Sequence, residues 1–439
     1  MNMKFFNFDQ LSLTMIFVTI FIDIITFIFS LRYLYGDRKY KSFILKIAIL
    51  VPVLIMKFSV DHIILFAGFW FLSNIIIVSL IIHKSEWRQS YNSGILYLKY
   101  LCFAFLSLMA AIAFFYYITD SFSISTIISY KFTINTEFTI AITLLSLFVI
   151  IQSSVVPFHK WIVSSLNAPT PVSAIMHGGI VNGGGFILIR FSKVYLQHEN
   201  IMDIIFVLSS ISIIISTLWK LMQNDIKRML ACSTISQMSY MLCQCSIGAF
   251  FPALLHIIMH SIFKANLFLN APSAANENIV KNHSLELSKV FISITVAFII
   301  SSFFLLGYTN FLLHFNADLV FISIVFIFCC EFTITILKKH TLCSAILVSF
   351  AIGCPLAIAY GKILSTIDSL FGYDSTEVLK LKFIHIIFII CLLLTWLLNT
   401  IKPKVLGKSR FVSFLYINLL NFSQPHEKTI TKNRNSYRF

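Results

Sequence analysis

Charge is what this chain has least of. Asp, Glu, Lys and Arg together make up 12% of the 439 residues, against 58% hydrophobic ones, and the mean hydropathy is +0.88. So little charge cannot cover the water-facing surface of a soluble protein this large, which excludes that class. Acids are scarcer still, 18 against 33 basic residues, for a formal net charge of +15. In a soluble protein this excess would point to nucleic acid. Here the cations lie in short loops and in the tail, where the positive-inside rule accounts for them, and nucleic acid is not an expected partner. The chain also lacks a Gly-rich nucleotide loop, a cofactor motif and a soluble catalytic domain, so neither a cofactor nor enzymatic chemistry of its own is expected. Its nine cysteines are scattered, nearly all within apolar runs. The closest pairs are Cys243 with Cys245 and the adjacent Cys329 and Cys330, and neither has a zinc or iron–sulfur spacing. Nothing resembles a cleaved signal peptide. Leu11 to Phe29 is long, runs into a basic loop, and reads as an uncleaved span.

What is present is a series of apolar stretches, at roughly 11–34, 43–57, 61–82, 95–118, 137–157, 173–195, 201–220, 227–248, 251–270, 287–307, 318–337, 341–364 and 381–400. The pattern predicts an all-α polytopic membrane protein of about thirteen transmembrane helices. Basic residues mark alternate loops: Arg32, Arg38, Lys39 and Lys41; Lys84 and Arg88; His159 and Lys160; Lys220, Lys227 and Arg228; Lys281; Lys338 and Lys339; Lys402 and Lys404. That alternation places the N-terminus outside and the C-terminus in the cytoplasm. Four segments are expected: N-terminal transmembrane helices at 1–136, a core at 137–270, C-terminal transmembrane helices at 271–400, and a basic cytoplasmic tail at 401–439. In the tail, Phe411 to Phe422 reads as a surface-lying helix. Two prolines interrupt apolar stretches, Pro157 in SSVVPFHKW and Pro355 in AIGCPLAIA. Broken helices that line a site are a mark of transporters. Ordinary kinks are the other reading.

The sharpest chemical signal is the run LLHIIMHSIFKANLFL, with His256, His260 and Lys264 four residues apart. One helical turn separates successive members, about 6 Å along the axis and on one face. Ionisable groups inside an apolar helix usually face a bundle interior or a water-filled path, so the three form a candidate proton path. A buried polar cluster that glues helices together would look the same. His177 is a plausible neighbour, early in a helix whose continuation GGIVNGGG lets another helix come close. Lys220, Asp225 and Lys227 form a possible mouth of the path, or simply cap and flank their helices. Glu331 is the one acid deep in the 318–337 stretch and an intramembrane candidate without a nameable partner.

Residues 153–270 also carry a family pattern. The runs SSVVPFHKWIVSSLNAPTPVSAIMHGGIVNGGGFILIRFS, NDIKRMLACSTISQMSYM and ALLHIIMHSIFKANLFL resemble the antiporter-like core of respiratory complex I, in particular its subunit 5. The resemblance implies an antiporter-like core with discontinuous helices. Within that superfamily, SLRYLYGD, IIHKSEWRQS, SSLNAPTPVSAIMHGGIVNGGG and QMSYMLCQCSIGAFFPALLHIIMHS resemble the DabB family of inorganic carbon transporter subunits. That resemblance implies a multi-pass protein of a bacterial inner membrane. It conducts protons or another cation to drive a DabA-like partner, which resembles a zinc-containing carbonic anhydrase and makes CO2 hydration one-way. Catalysis would belong to the partner.

The departures bear on mechanism. Pumping subunits of complex I carry a glutamate in an FWEL-like motif, and this chain has Phe71 there, in AGFWFLSN. They carry a lysine in GKSAQ, and this chain has Gln152 there, in VIIQSSVVP. A later GF-x-SKD motif is absent, the chain is shorter than a full subunit 5, and it lacks the lateral-helix pattern. Phe and Gln cannot titrate, so the usual pair for switching proton affinity is missing. The expected function is therefore the DabB-like subunit of an inorganic carbon (CO2/bicarbonate) pump. The alternatives are a subunit 5-like part of an NADH:quinone oxidoreductase, including a divergent mitochondrial one, and a sodium/proton antiporter subunit.

Overall fold

A computed structural model describes residues 5–274, 287–308, 318–371, 380–401 and 410–430. Lys281, Lys402 and Lys404 lie outside the described residues. The chain divides into two compact units, one of Met1–Ser246, His256–Glu277 and Asn418–Phe439, the other of Ile247–Leu255 and Asn278–Ile417. The described residues contain helices and two isolated β-bridges but no strands. Among the described residues, ten helices are long and apolar enough to cross a membrane, and Thr136–Gln152 and Phe383–Leu398 are shorter apolar ones. Ile226–Ser246 is equally long but richer in Ser, Thr, Cys and Gln, and most of its side chains are buried. With it the number reaches the thirteen read from the sequence, and the chain is a polytopic all-α membrane protein.

The first unit opens with α1 (Gln10–Tyr33), α2 (Tyr40–Ser59), α3 (Ile63–Ile81) and α4 (Arg88–Thr119). The first turn needs Gly36, whose φ of 88° suits a residue without Cβ. A short helix, α5 (Ile124–Ser129), precedes α6 (Thr136–Gln152). After Gln152 the backbone leaves the helix. Ser154 has a left-handed φ of 59°, and the Val156–Pro157 peptide is cis. The chain resumes with α7 (Lys160–Ser164) and α8 (Thr170–Gly178), where Pro169 and Pro171 flank a helix start that tolerates missing N–H groups. A second break follows. Gly179 leaves α8, a single 3-10 turn spans Ile180–Asn182, and α9 (Gly183–Arg190) and α10 (Ser192–Tyr195) complete the crossing. Then come α11 (Glu199–Met222), α12 (Ile226–Ser246) and α13 (Phe250–Ala274). Val18, Ile22, Ala174, Leu230, Ala265, Phe268 and Ala271 form one buried cluster, which sets α13 against α1, α8 and α12.

Hydrogen bonds between loops show which ends of these helices lie together. His83 contacts Asp37 at 3.2 Å, Asn167 donates to Gln89 O and Thr429 O, Lys227 reaches Ala168 O, and Gln223 donates to Ser423 Oγ. The basic loops at 32–41, 84–88, 160 and 220–228 are therefore at one end of this unit. At the other end, Asp61 accepts from Ser123 Oγ and from Ser125 N, and Gln197 Oε1 accepts from Phe132 N. His159 does not belong with the basic residues of that loop. It is buried against Trp219 and Phe422, and that burial pushes its pKa down to about 4, so it is neutral at pH 7.

The second unit holds α14 (Leu287–Gly307), α15 (Asp318–Leu337), α16 (Leu342–Phe371) and α17 (Phe383–Ile401), packed around Val290, Ala297, Cys330, Ile334 and Trp396. Pro355, read from the sequence as an interruption, lies inside a continuous α16. Apolar surroundings favour keeping the remaining helical hydrogen bonds, so membrane helices tolerate such a proline. The tail helix, α18 (Arg410–Ser423), covers the apolar patch expected there. From Asn418 onward it belongs to the first unit, where His426 N donates to Ser164 Oγ and Phe422 O lies 3.1 Å from His159 Nε2.

One ion pair ties the start of α1 to the end of α9. Asp9 caps α1 by accepting from Ser12 N at 2.8 Å, and both its oxygens are held by the Arg190 guanidinium, which also donates to Ser12 Oγ. Burial works against the ionised Asp9 carboxylate. The hydrogen bond and charge of Arg190, with the Ser12 contacts, outweigh it and hold the pKa below its usual value. A lowered pKa means the contribution to stability is complete above the ordinary carboxylate range and is lost as pH falls through the folded-state value. The Asp9 side chain is 38% exposed, so no more than about 1 kcal/mol is expected from the pair. Asp9→Asn should lower the thermal midpoint of the detergent-solubilised protein at pH 7, and the gap to wild type should close below about pH 4. A gap independent of pH would mean that Asp9 acts only as a helix cap.

Candidate functional site

The His–His–Lys series lies on α13, and α8 and α12 supply its partners. Lys264 is 2% exposed, and its ammonium donates to Leu230 O at 3.0 Å and to Ser233 Oγ on α12. The same Leu230 carbonyl accepts from Thr234 Oγ1 at 3.0 Å, and Thr234 Oγ1 lies 3.2 Å from His177 Nδ1. The Thr234 hydroxyl has one proton and gives it to Leu230 O, so His177 must carry its proton on Nδ1. His177 Nε2 is then a bare acceptor, buried and without a partner. Its ring stacks on Phe268 with 4.2 Å between centroids. His177 and Lys264 are thus joined through one shared carbonyl and one hydroxyl.

His260 is the unusual member. It is buried, yet neither ring nitrogen has a hydrogen-bond partner. Lys264, His256 and His177 all lie within electrostatic range of it. His256, half-buried, holds Gln244 Oε1 at 3.1 Å through Nδ1, and its ring centroid is 6.1 Å from that of His260. No direct hydrogen bond joins the two rings, since both nitrogens of His260 lack partners. Next to His260, Ser261 Oγ accepts from Asn182 Nδ2 at 2.7 Å, and Asn182 also donates to Gly178 O at 2.8 Å. Asn182 thereby spans the break between α8 and α9. The close approach depends on Gly178, where an added Cβ would come within 2.9 Å of Ser261 O.

The remaining sequence candidates divide. Asp225 accepts from Arg228 N at 2.9 Å and so caps α12. Lys227 reaches Ala168 O at 3.5 Å and lies within electrostatic range of His177, as the exposed Lys220 does of Lys264. Glu331 belongs to the second unit and is exposed on α15. Sequence reasoning overlooked Ser233, Thr234 and Gln244, which look like ordinary small or polar positions until α12 packs on α13. It also overlooked Asp23 on α1 and Lys57 on α2, both 2% exposed. Each is an ionisable residue within or at the end of an apolar stretch, and that was the available signal.

Residues 60–336 match the family described as NADH:quinone oxidoreductase/Mrp antiporter, transmembrane. The chain belongs to this antiporter family. It is 36% identical over 289 residues to a probable inorganic carbon transporter subunit DabB of Bacillus subtilis (strain 168), covering 65% of this chain and 57% of that protein. It is 30% identical over 275 residues to NADH-ubiquinone oxidoreductase chain 5 of Schizophyllum commune, covering 61% of this chain and 39% of the relative. The chain thus spans little more than half the length of the DabB relative. A structure of the Mrp complex from Dietzia sp. DQ12-45-1b shares the fold, with a TM-score of 0.57 at 17% identity, over 95% of this chain and 45% of that one.

At the two positions where antiporter-family pumping subunits of complex I carry charge, this chain has packing instead. Phe71 is half-buried, with its ring 4.6 Å from that of Phe105. Gln152 is 3% exposed and donates at 3.2 Å to Ile180 O, which also accepts from Gly183 N in the turn after α8. Gln152→Ala should remove one of two donors to that carbonyl and leave Gly183 N, costing about 0.5–1.5 kcal/mol of stability while gradient-driven transport persists. Thermal unfolding and vesicle transport measured side by side check this. A transport loss as severe as that of a Lys264 variant would place Gln152 on the path.

Proposed function

We propose that this chain is the membrane subunit of an energy-coupled inorganic carbon pump in a bacterial inner membrane. It conducts protons or another cation along His256, His260, Lys264 and His177. That flow drives a DabA-like, zinc-containing carbonic-anhydrase-type partner that hydrates CO2 in one direction, and the chain itself is a transport subunit rather than an enzyme. The observation carrying the conduction is His260, a buried imidazole with both nitrogens free among Lys264, His256 and His177. Neutral imidazole accepts a proton on one nitrogen while releasing one from the other. Protons on Lys264 and on His260 repel each other, so the ladder favours alternating occupancy over a fully charged state. The choice of partner and cargo is supported by the similarity to DabB subunits and by the uncharged residues at positions 71 and 152. The similarity to chain 5 favours a second reading, a subunit of an NADH:quinone oxidoreductase.

Two outcomes are expected. Co-expression with a DabA-like partner should rescue growth of a carbonic-anhydrase-deficient bacterium in air, and neither protein alone should do so. Rescue by this chain alone, or co-purification with quinone-reducing subunits, would count against the reading. In vesicles, Lys264→Met and His260→Ala should reduce gradient-dependent bicarbonate uptake to background while insertion and partner binding persist. His256→Gln should be milder, because His256 is half-buried and nearer the helix start. Normal uptake in Lys264→Met, or loss of assembly in all three variants, would reduce the ladder to helix packing.

A further inference from the structure

A second pair of ionisable residues lies in the first unit, apart from the ladder. Asp23 on α1 and Lys57 on α2 are each 2% exposed and line one small cavity. Among the described residues the direct ion pairs are Lys39–Glu86, His83–Asp37 and Arg190–Asp9, so Asp23 and Lys57 face each other across space rather than touching. Asp23 Oδ2 is fully buried and has no hydrogen-bond partner. The Lys57 ammonium sits over the rings of Phe58 and Trp70, 4.5 and 4.3 Å from their centroids. The cavity has room for about one water molecule. Its other walls are Thr19 and Ile22 of α1, Leu54 of α2, and Ile175, Gly179 and Ile180 at the break after α8. Among the described residues, Lys57 is the charged group acting on Asp23, and Asp23 the one acting on Lys57.

We propose that Asp23 and Lys57 form a proton-exchange site, which supplies the titratable acid–base pair that positions 71 and 152 lack. A carboxylate left without donors inside an apolar bundle is costly, and a nearby ammonium lowers that cost only while both are charged. The pair therefore has two states of the same net charge. In one, the carboxylate faces the ammonium. In the other, the N–H bond of Lys57 has broken and an O–H bond on Asp23 has formed, leaving a neutral amine and a neutral acid. One water in the cavity suffices to carry that proton, and the cation–π contacts stabilise only the charged form of Lys57. The far wall connects the pair to the ladder. Gly179 and Ile180 line the cavity, Gln152 holds Ile180 O, and Asn182, two residues further on, holds Ser261 beside His260. The opposing reading is a fixed pair that only holds α1 against α2.

Infrared difference spectroscopy of the full chain in lipid nanodiscs, recorded between acid and alkaline pH, separates the two. The two internal states bind the same number of protons, so pH reads net exchange with the surroundings. The wild type should show a protonated-carboxyl band at acid pH that is lost at alkaline pH, as the pair releases a proton. It should be absent in Asp23→Asn, retained in Glu331→Gln, and altered in its pH dependence in Lys57→Met. A fixed pair gives no pH-dependent band from Asp23, and a band that survives Asp23→Asn overturns the proposal. Since each single variant risks misfolding, the exchanged pair Asp23→Lys with Lys57→Asp should restore both the band and gradient-driven proton uptake lost in Lys57→Met. A folded exchanged variant with neither property counts against the site. The spectroscopic arm does not depend on the carbon-pump reading: an intact band in a chain that transports no bicarbonate overturns that reading alone.

Discussion

A helix that breaks inside an apolar phase leaves backbone groups that water cannot reach, and the centre of this protein is organised by that constraint. The chain breaks twice in succession, after Gln152 and after Gly178. Around these breaks, buried side chains add hydrogen bonds to the backbone. Trp161 Nε1 donates to Ile151 O, Ser212 Oγ accepts from Val156 N, Gln152 donates to Ile180 O, and Asn182 donates to Gly178 O. These polar residues are not spare hydrophilic content in a greasy chain. Backbone donors share the work, Ser154 N on Ile151 O and Gly183 N on Ile180 O, while Val156 N relies on the Ser212 hydroxyl.

The same requirement shapes the packing. Side chains can reach the freed carbonyls only if neighbouring helices come close, and the glycines permit this. An added Cβ at Gly184 would meet Val149 O of α6 at 2.8 Å, and one at Gly183 would meet the ring of Trp70. The broken segment is thereby enclosed by α3, α6, α12 and α13. Its own polar atoms then become part of whatever path the surrounding residues make.

Two ionisable groups of residues flank this segment. Lys264, His260 and His177 adjoin it through α12 and α13, with Leu230 O and Thr234 as shared partners. Asp23 and Lys57 adjoin it through α1 and α2, around a cavity whose wall is the break itself. Both lie in the first compact unit, and each keeps polar atoms buried and unpaired: the two nitrogens of His260 and Nε2 of His177 in one, Oδ2 of Asp23 in the other.

The sequence by itself determined the class of fold, about thirteen apolar helices and the four-residue spacing of His256, His260 and Lys264 on α13. Hydrophobic runs report helices through local periodicity, and a four-residue spacing fixes a helix face whatever surrounds it. The break at Pro157 was legible for the same local reason. Pro355 stayed open between a break and a kink, because whether a proline ends a helix depends on what surrounds it. Tertiary structure alone decided which residues complete the ladder and that a second pair exists. Ser233, Thr234 and Gln244 matter only because α12 lies beside α8 and α13. Asp23 and Lys57, 34 positions apart, meet only because α1 and α2 pack antiparallel and the broken helix closes over them. No local pattern encodes such a meeting, since it arises from the register in which one helix is set against another.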